Sequence, residues 1–337
     1  VALYLIGAIF MAGIMQGCGQ NGGPGVIRPG EVWKDEQGKV LQAHGGGVIS
    51  HGGRWYWYGE DKNADTRPPG KSLLEWIPVI GMHCYSSANL VDWRDEGLVL
   101  KAQEGHPDLD PKMVFERPKV IYNRKTGKFV MWCHADDDRY EKACTAVATA
   151  DSPVGPFTFH GSFQPDGHDS RDFTLFQDVD GTAWLFHSSE WNKTMHISRL
   201  ADDYLSTTGK CVRVFEKLSR EAPVVFRNGG KYFIITSGCT GWAPNPAEYA
   251  VADSPTGPWR VVGNPCVGTP EQEATTFKAQ AGFSIALPGN RGEFILMLDR
   301  WNQHDLRDSR YLWLPMRVVG ETVSVEWREE WMPELGG

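Results

Sequence analysis

Three carboxylates and one amide stand at matched places in this chain, each opening an apolar run. Glu221 begins "EAPVVFRNGGKYFIITS" and Glu116 begins "ERPKVIYNRKTGKFVMW". Asp172 begins "DFTLFQDVDGTAWLFHS", and Gln280 begins "QAGFSIALPGNRGEFILMLD". Carboxylates that share a small cavity repel one another, so their pKa values separate into a proton donor and an anion. A pair of that kind puts a general acid and an anion in one cavity. A polar residue at one strand start merely caps solvated backbone. Three carboxylates at matched starts ask for a common purpose.

The elements that would bring them together are repeated. Five Gly-centred hairpin signals, at Gly53, Gly127, Gly181, Gly230 and Gly292, are each followed by a β-branched or aromatic run and preceded by a short strand. Their separations are 74, 54, 49 and 62 residues, and "ADSPVGPF" (150–157) returns as "ADSPTGPW" (252–259) two units later. "SSANLVDW" (86–93) is a looser copy. Repeats of this size, each with several short strands, predict an all-β, five-bladed β-propeller over residues 30–337. The segments 31–42 and 322–331 are the candidates for strands that close the ring. Counting back 9, 11, 9, 9 and 12 residues from the glycines reaches His44, Glu116, Asp172, Glu221 and Gln280. The innermost strand of every blade would then deliver one polar residue to one end of the axis.

Composition narrows the function. The chain has 337 residues, 41% of them apolar, and a net charge of −8 with scattered Lys and Arg, so no basic face recommends a nucleic acid. The seven cysteines show neither C-x-x-C pairs nor a His/Cys metal spacing, and their apolar settings predict buried thiols. No cofactor and no catalytic metal are expected. Residues 1–18 read as a signal segment ending at Cys18, which follows Gly17 as in a lipoprotein cleavage box, and 19–29 read as a linker. An exported protein of a bacterial cell envelope, in the periplasm or held to the outer membrane through lipid on Cys18, is the expectation.

The motifs resemble glycoside hydrolase family 43, five-bladed propellers that cleave glycosidic bonds with inversion. "REAP" (220–223) is similar to the segment that carries that family's general acid, which implies that role for Glu221. "SRDF" (170–173) is similar to the segment of the carboxylate that orients the acid and tunes its pKa, here Asp172. "AHGGG", "YGEDK", "ERPKV", "TGWAPN" and "LDRW" resemble the exo-β-1,3-galactanase branch. Most of the family carries an Asp as general base where this chain has His44, and the galactanase branch shares that absence. There a glutamine is thought to take the place, which implies Gln280; Glu116 is its rival and His44 a third choice. The resemblance further implies that Glu60, Glu116, Tyr140, Asp172 and Thr240 bind sugar hydroxyls, and that Trp242 or Trp301 stacks on the sugar.

The function expected is an inverting exo-β-1,3-galactosidase acting on β-1,3-galactan of arabinogalactan-type glycans. An α-L-arabinofuranosidase or β-xylosidase of the same family, a glycan-binding lipoprotein without catalysis, and a protein-binding scaffold are the alternatives. Retention of both Glu221 and Asp172 weighs against the last two, because binding alone needs no paired acid and modulator. If Cys18 carries lipid, Cys18→Ala should move the protein out of the membrane fraction; mass spectrometry showing an unmodified Cys18 in mature protein would defeat the assignment.

Overall fold

A computed structural model describes residues 25–64, 78–289 and 292–335. The signal segment, Cys18 and most of the linker lie outside the described residues. Among the described residues, twenty-one strands form five sheets, each made of strands consecutive in sequence, arranged as a five-bladed β-propeller. The innermost strands are His44–His51, Val114–Asn123, Phe173–Gln177, Arg220–Asn228 and Gln280–Ala286. Each pairs antiparallel with the strand that its predicted hairpin introduces. The "ADSP" copies fall at the same place in blades two and four, between the third and fourth strands, and 86–93 occupies that place in blade one. The one α-helix among the described residues, Pro270–Ala274, is short, and none is long and apolar enough to cross a membrane.

Successive side chains of a strand point to opposite faces, and in a propeller both faces of a blade are covered by neighbours. This is why the middle strands read as unbroken apolar runs. Phe233 and Ile235 pack towards blade five, whereas Ile234 between them packs towards blade three. The buried residues accordingly fall into five clusters, one for each seam between blades.

Closure of the ring meets the expectation only in part, through Trp331 at the end of 322–331. Segment 31–42 contributes only an isolated bridge between Lys34 and Val40, and Thr322–Glu326 is an outer strand of blade five itself. The termini meet through one bridge, in which Ile27 and Trp331 exchange backbone hydrogen bonds of 2.8 and 3.0 Å. Most of the closure is aromatic packing: Trp57 and Trp93 of blade one meet Trp313 of blade five edge to face, with Trp33 against Trp57 and Trp313. A buried Trp removes roughly 150–250 Å² of surface from water, or about 4–6 kcal/mol. A backbone hydrogen bond contributes about 1 kcal/mol net. The tryptophans decide.

Four of the five inner strands break register just after their site position, between His44 and Gly47, Glu116 and Lys119, Glu221 and Val224, and Ala281 and Phe283. Left-handed backbone at Gly45, Arg117 and Ala222 makes three of these bulges. A bulge bends the strand and re-aims its side chains. In blades one, two, four and five the unequal offsets counted back from the hairpin glycines come largely from connection length. It is 52–53 in blade one and 229–230 in blade four, but 124–127 in blade two and 287–292 in blade five. In blade three a connection over 178–182 is balanced by an inner strand without a bulge.

Replacing Trp313 by Ala should lower stability by about 3–5 kcal/mol, measured by chemical denaturation. A loss below about 1 kcal/mol would move the closure to the terminal bridge.

Candidate active site

The inner-strand starts surround a cavity of about 310 Å³ at one end of the axis. Glu60, Glu116, Tyr140, Asp172, Glu221, Gln280, Trp242 and Trp301, all expected at the site, line it. Two expectations fail. The Thr240 hydroxyl donates to the Ala243 carbonyl (2.6 Å) and accepts from Asn245 Nδ2 (2.7 Å), so it serves its own loop, and only its neighbours Gly241 and Trp242 reach the cavity. His44 is fully buried behind the wall, stacked on Tyr311, with Nδ1 3.1 Å from Asp299 Oδ1. It cannot meet a water in the cavity. The glycines after it are steric: a Cβ at Gly46 would overlap the Tyr58 carbonyl, and one at Gly45 would press on the Glu60 carboxyl.

Glu221 sits on the blade-four bulge. Its Oε1 accepts from Gln280 Nε2 (3.1 Å) and its Oε2 from Asn192 Nδ2 (3.3 Å). Burial pushes its pKa up to about 7, with the charge of Asp172 adding to the rise and Arg117, Cys239 and Gln280 opposing it. Burial is therefore the larger cause and the Asp172 charge the second. A carboxyl so placed holds its proton to neutral pH and can deliver it.

Asp172 is gripped by Arg117, Nε to Oδ1 at 2.6 Å, and its other oxygen accepts from the Ala222 amide at 3.2 Å. Arg117 is the residue that sequence reasoning missed. Besides Asp172 it donates to Gln280 Oε1 (2.8 Å), while its own amide donates to Glu60 Oε1 (2.8 Å). Burial would lower its pKa, but Asp172, Glu116, Glu221 and Glu60 outweigh that and raise it. Arg117 was in view within "ERPKV"; its backbone conformation was not. Lys62, paired with Glu60, was likewise inside "YGEDK".

Glu116 faces His134, whose Nδ1 is 3.5 Å from Oε2, and accepts from the Tyr140 hydroxyl at 3.3 Å. Burial alone would raise the Glu116 carboxyl; hydrogen bonding to His134 and the charge of Lys62 instead hold it down at about 2. Burial likewise opposes protonation of His134, yet Asp136 and Glu116 carry its pKa up to about 9. Glu116 is therefore an anion at any working pH, suited to accept sugar hydroxyls and too weakly basic to take a proton readily from water.

Gln280 departs from expectation in geometry. Its Nε2 also donates to Ser237 Oγ (3.0 Å), so both ends of the amide are engaged. Acid and amide touch, with no room between them for a water, whereas inverting enzymes keep their two groups roughly 6.5–9.5 Å apart. A water that Gln280 holds must lie beside this contact or replace it. The cysteines also differ from expectation: Cys84, Cys133, Cys144 and Cys266 are buried, but Cys211 is half-buried and Cys239 exposed, next to the acid.

The Lys119 ammonium donates to the Gly45 carbonyl at 2.7 Å, and a Cβ at Gly47 would press on the Lys119 and Phe283 side chains. A second cavity of about 280 Å³ lies at the other end of the axis, with Phe283 in its wall.

A five-bladed propeller whose axial cavity joins a protonatable buried carboxyl, a fixed anion and two tryptophans defines a glycoside hydrolase. The chain belongs to glycosyl hydrolases family 43, which residues 71–302 match. It is similar to a solved β-1,3-galactosidase with galactodeoxynojirimycin, at 38% identity and a TM-score of 0.84, covering 91% of this chain and 100% of that one. It is also similar to a Glu→Gln variant of the Phanerochaete chrysosporium exo-β-1,3-galactanase with β-1,3-galactotriose, at 34% identity and a TM-score of 0.84, covering 93% and 69%. A curated relative, the β-D-galactofuranosidase of Aspergillus niger, is 28% identical over 257 residues, covering 74% of this chain. The chain spans 63% of that relative's length.

Carbon-13 NMR titration of Glu221 should show a midpoint near 7. In Asp172→Asn the midpoint should fall, because the anion that disfavours ionisation is gone and Arg117 is freed to attract the Glu221 carboxylate. A wild-type midpoint in the ordinary carboxylate range would remove the proton donor from the site.

Proposed function

We propose that this protein is an inverting exo-β-1,3-galactosidase that releases galactose from the ends of β-1,3-galactan outside the cytoplasm. The observation that carries the reading is the buried Glu221 carboxyl, protonated near neutrality beside the Asp172–Arg117 pair. It stands in a family 43 propeller similar over more than nine-tenths of its length to β-1,3-galactosidase and exo-β-1,3-galactanase structures.

In this reading Glu116, Glu60 and Tyr140 hold hydroxyls of the terminal sugar and Trp242 or Trp301 covers its apolar face. Glu221 gives its proton to the departing oxygen. Asp172, neutralised in part by Arg117, keeps that proton in place and aligns the acid. Gln280, fixed by Arg117 with its carbonyl oxygen towards the cation, steers the attacking water; an amide can accept from water through the remaining lone pair of that oxygen. Water attacks as the bond to the leaving oxygen breaks, and the inverted anomer forms.

Glu221→Gln should lower kcat on β-1,3-galactan by about 10²–10⁴-fold and regain turnover on an aryl galactoside whose leaving group needs no proton. Its fold should be at least as stable as wild type at pH 8. Raising a folded carboxyl above its ordinary pKa favours folding only in the protonated form, and that contribution is lost as pH rises through about 7. Gln280→Ala separates two roles. If Gln280 positions water, its rate loss persists on the activated aryl substrate; if it serves only as partner to Glu221, the loss disappears there. Proton NMR in the first moments of hydrolysis should show the inverted anomer, and a retained anomer would overturn the mechanism. Binding of galactan without hydrolysis by the wild type would return the protein to the glycan-binding reading.

A further inference from the structure

Blade three carries a second cluster of reactive side chains, none of which lines the axial cavity. His168, His196 and Cys211 are far apart in sequence, and no spacing pairs them. Folding brings one donor atom of each within 4.8 Å of the others. His196 pairs with Arg213 and Ser198 with Cys211 across two adjacent strands, so His196 and Cys211 are diagonal neighbours on one face. His168 arrives from the blade-two connection, just after the turn Pro165–Gly167. That turn is fastened to the same outer strand: Asp166 donates its amide to Thr207 Oγ1 (3.2 Å) and accepts from the Gly209 amide (2.8 Å). The rings of His168 and His196 stand edge to face at 4.8 Å.

The donors are placed as ligands rather than as packing. His196 is fully buried, and its Nδ1 has no hydrogen-bond partner. Its Nε2 meets Glu190 Oε1 at 3.4 Å, and Glu190 is itself held by Arg213 and Thr194. A carboxylate behind an imidazole sets the tautomer and the ring orientation of metal-binding histidines. Here it leaves Nδ1 as the nitrogen available to coordinate. On the same face, both ring nitrogens of His187 and the Ser198 hydroxyl are buried without partners. Buried polar atoms are nearly always satisfied, so their concentration beside three metal-ligating side chains is unusual for packing alone.

We propose that His168, His196 and Cys211 form a site for a zinc-class divalent ion. Two imidazoles and a thiolate select zinc or its close transition-metal neighbours over magnesium or calcium, which prefer oxygen. Ligand bonds of about 2.0–2.3 Å require the three donors to draw together by about 1 Å, and the exposed His168 ring is free to swing. The Cys211 thiol gives its proton to solvent as the sulfur–metal bond forms, and water completes the fourth position on the open side. The ion ties the connection between blades two and three to two strands of blade three. Its role is structural, separate from glycoside cleavage.

The whole protein, stripped of metal and titrated with cobalt(II), should bind one ion per chain with a thiolate-to-cobalt charge-transfer band. Zinc should abolish the band and raise the thermal unfolding midpoint. His168→Ala, at an exposed position that does not threaten folding, and Cys211→Ser should each lose the band or weaken binding at least about tenfold. Cys239→Ser should keep it. No band at millimolar cobalt, or a band unchanged in Cys211→Ser, would overturn the site.

Discussion

The guanidinium of Arg117 is the interaction on which the cavity depends. Four carboxyl groups from four blades come within its influence, and without a fixed cation in their midst they would repel one another or take up protons together. One side chain reaches Asp172 of blade three and Gln280 of blade five, and its backbone holds Glu60 of blade one. Apolar seams join the blades along most of their length, and they specify contact but not angstrom-level placement. Charged hydrogen bonds across the axis supply that placement. Truncating such a buried partner leaves uncompensated charge behind and costs far more than the net value of the pair, so Arg117 positions the site as much as it charges it.

Around that cation the carboxyl groups diverge through their surroundings. Glu116 lies against His134 and Lys62 and stays ionised; Glu221, buried, near Asp172 and served by neutral amide and thiol groups, keeps its proton. Same chemistry, opposite states: the difference comes from which strand supplies the neighbour. His134, in turn, keeps its charge because Asp136 sits on its far nitrogen at 2.9 Å. The site is thus graded from behind as well, since Asp136 does not line the cavity.

The blade count was legible because every blade must turn its own first hairpin, and glycines at 53, 127, 181, 230 and 292 record those turns. The convergence of Glu116, Asp172, Glu221 and Gln280 was legible for the same reason, since strand starts meet at one end of an axis. What escaped is local backbone shape. In a regular strand Glu116 and Arg117 would point to opposite faces; the left-handed conformation at Arg117 and the bulge after Glu116 bring both to the cavity. The bulge in blade one lies beside His44, whose ring is buried against Tyr311. Thr240 was lost to a loop bond with Asn245 that no periodicity encodes, and the ring was closed by tryptophans rather than by the strand that 31–42 resembled. His168, His196 and Cys211 could not be grouped by spacing at all, because a strand ladder and a connection between blades make them neighbours.

Closure by Trp33, Trp57, Trp93 and Trp313 presses four indole rings together at one seam. Parting blades one and five would bring them into water together, so intrinsic fluorescence carries a report on whether the ring is whole.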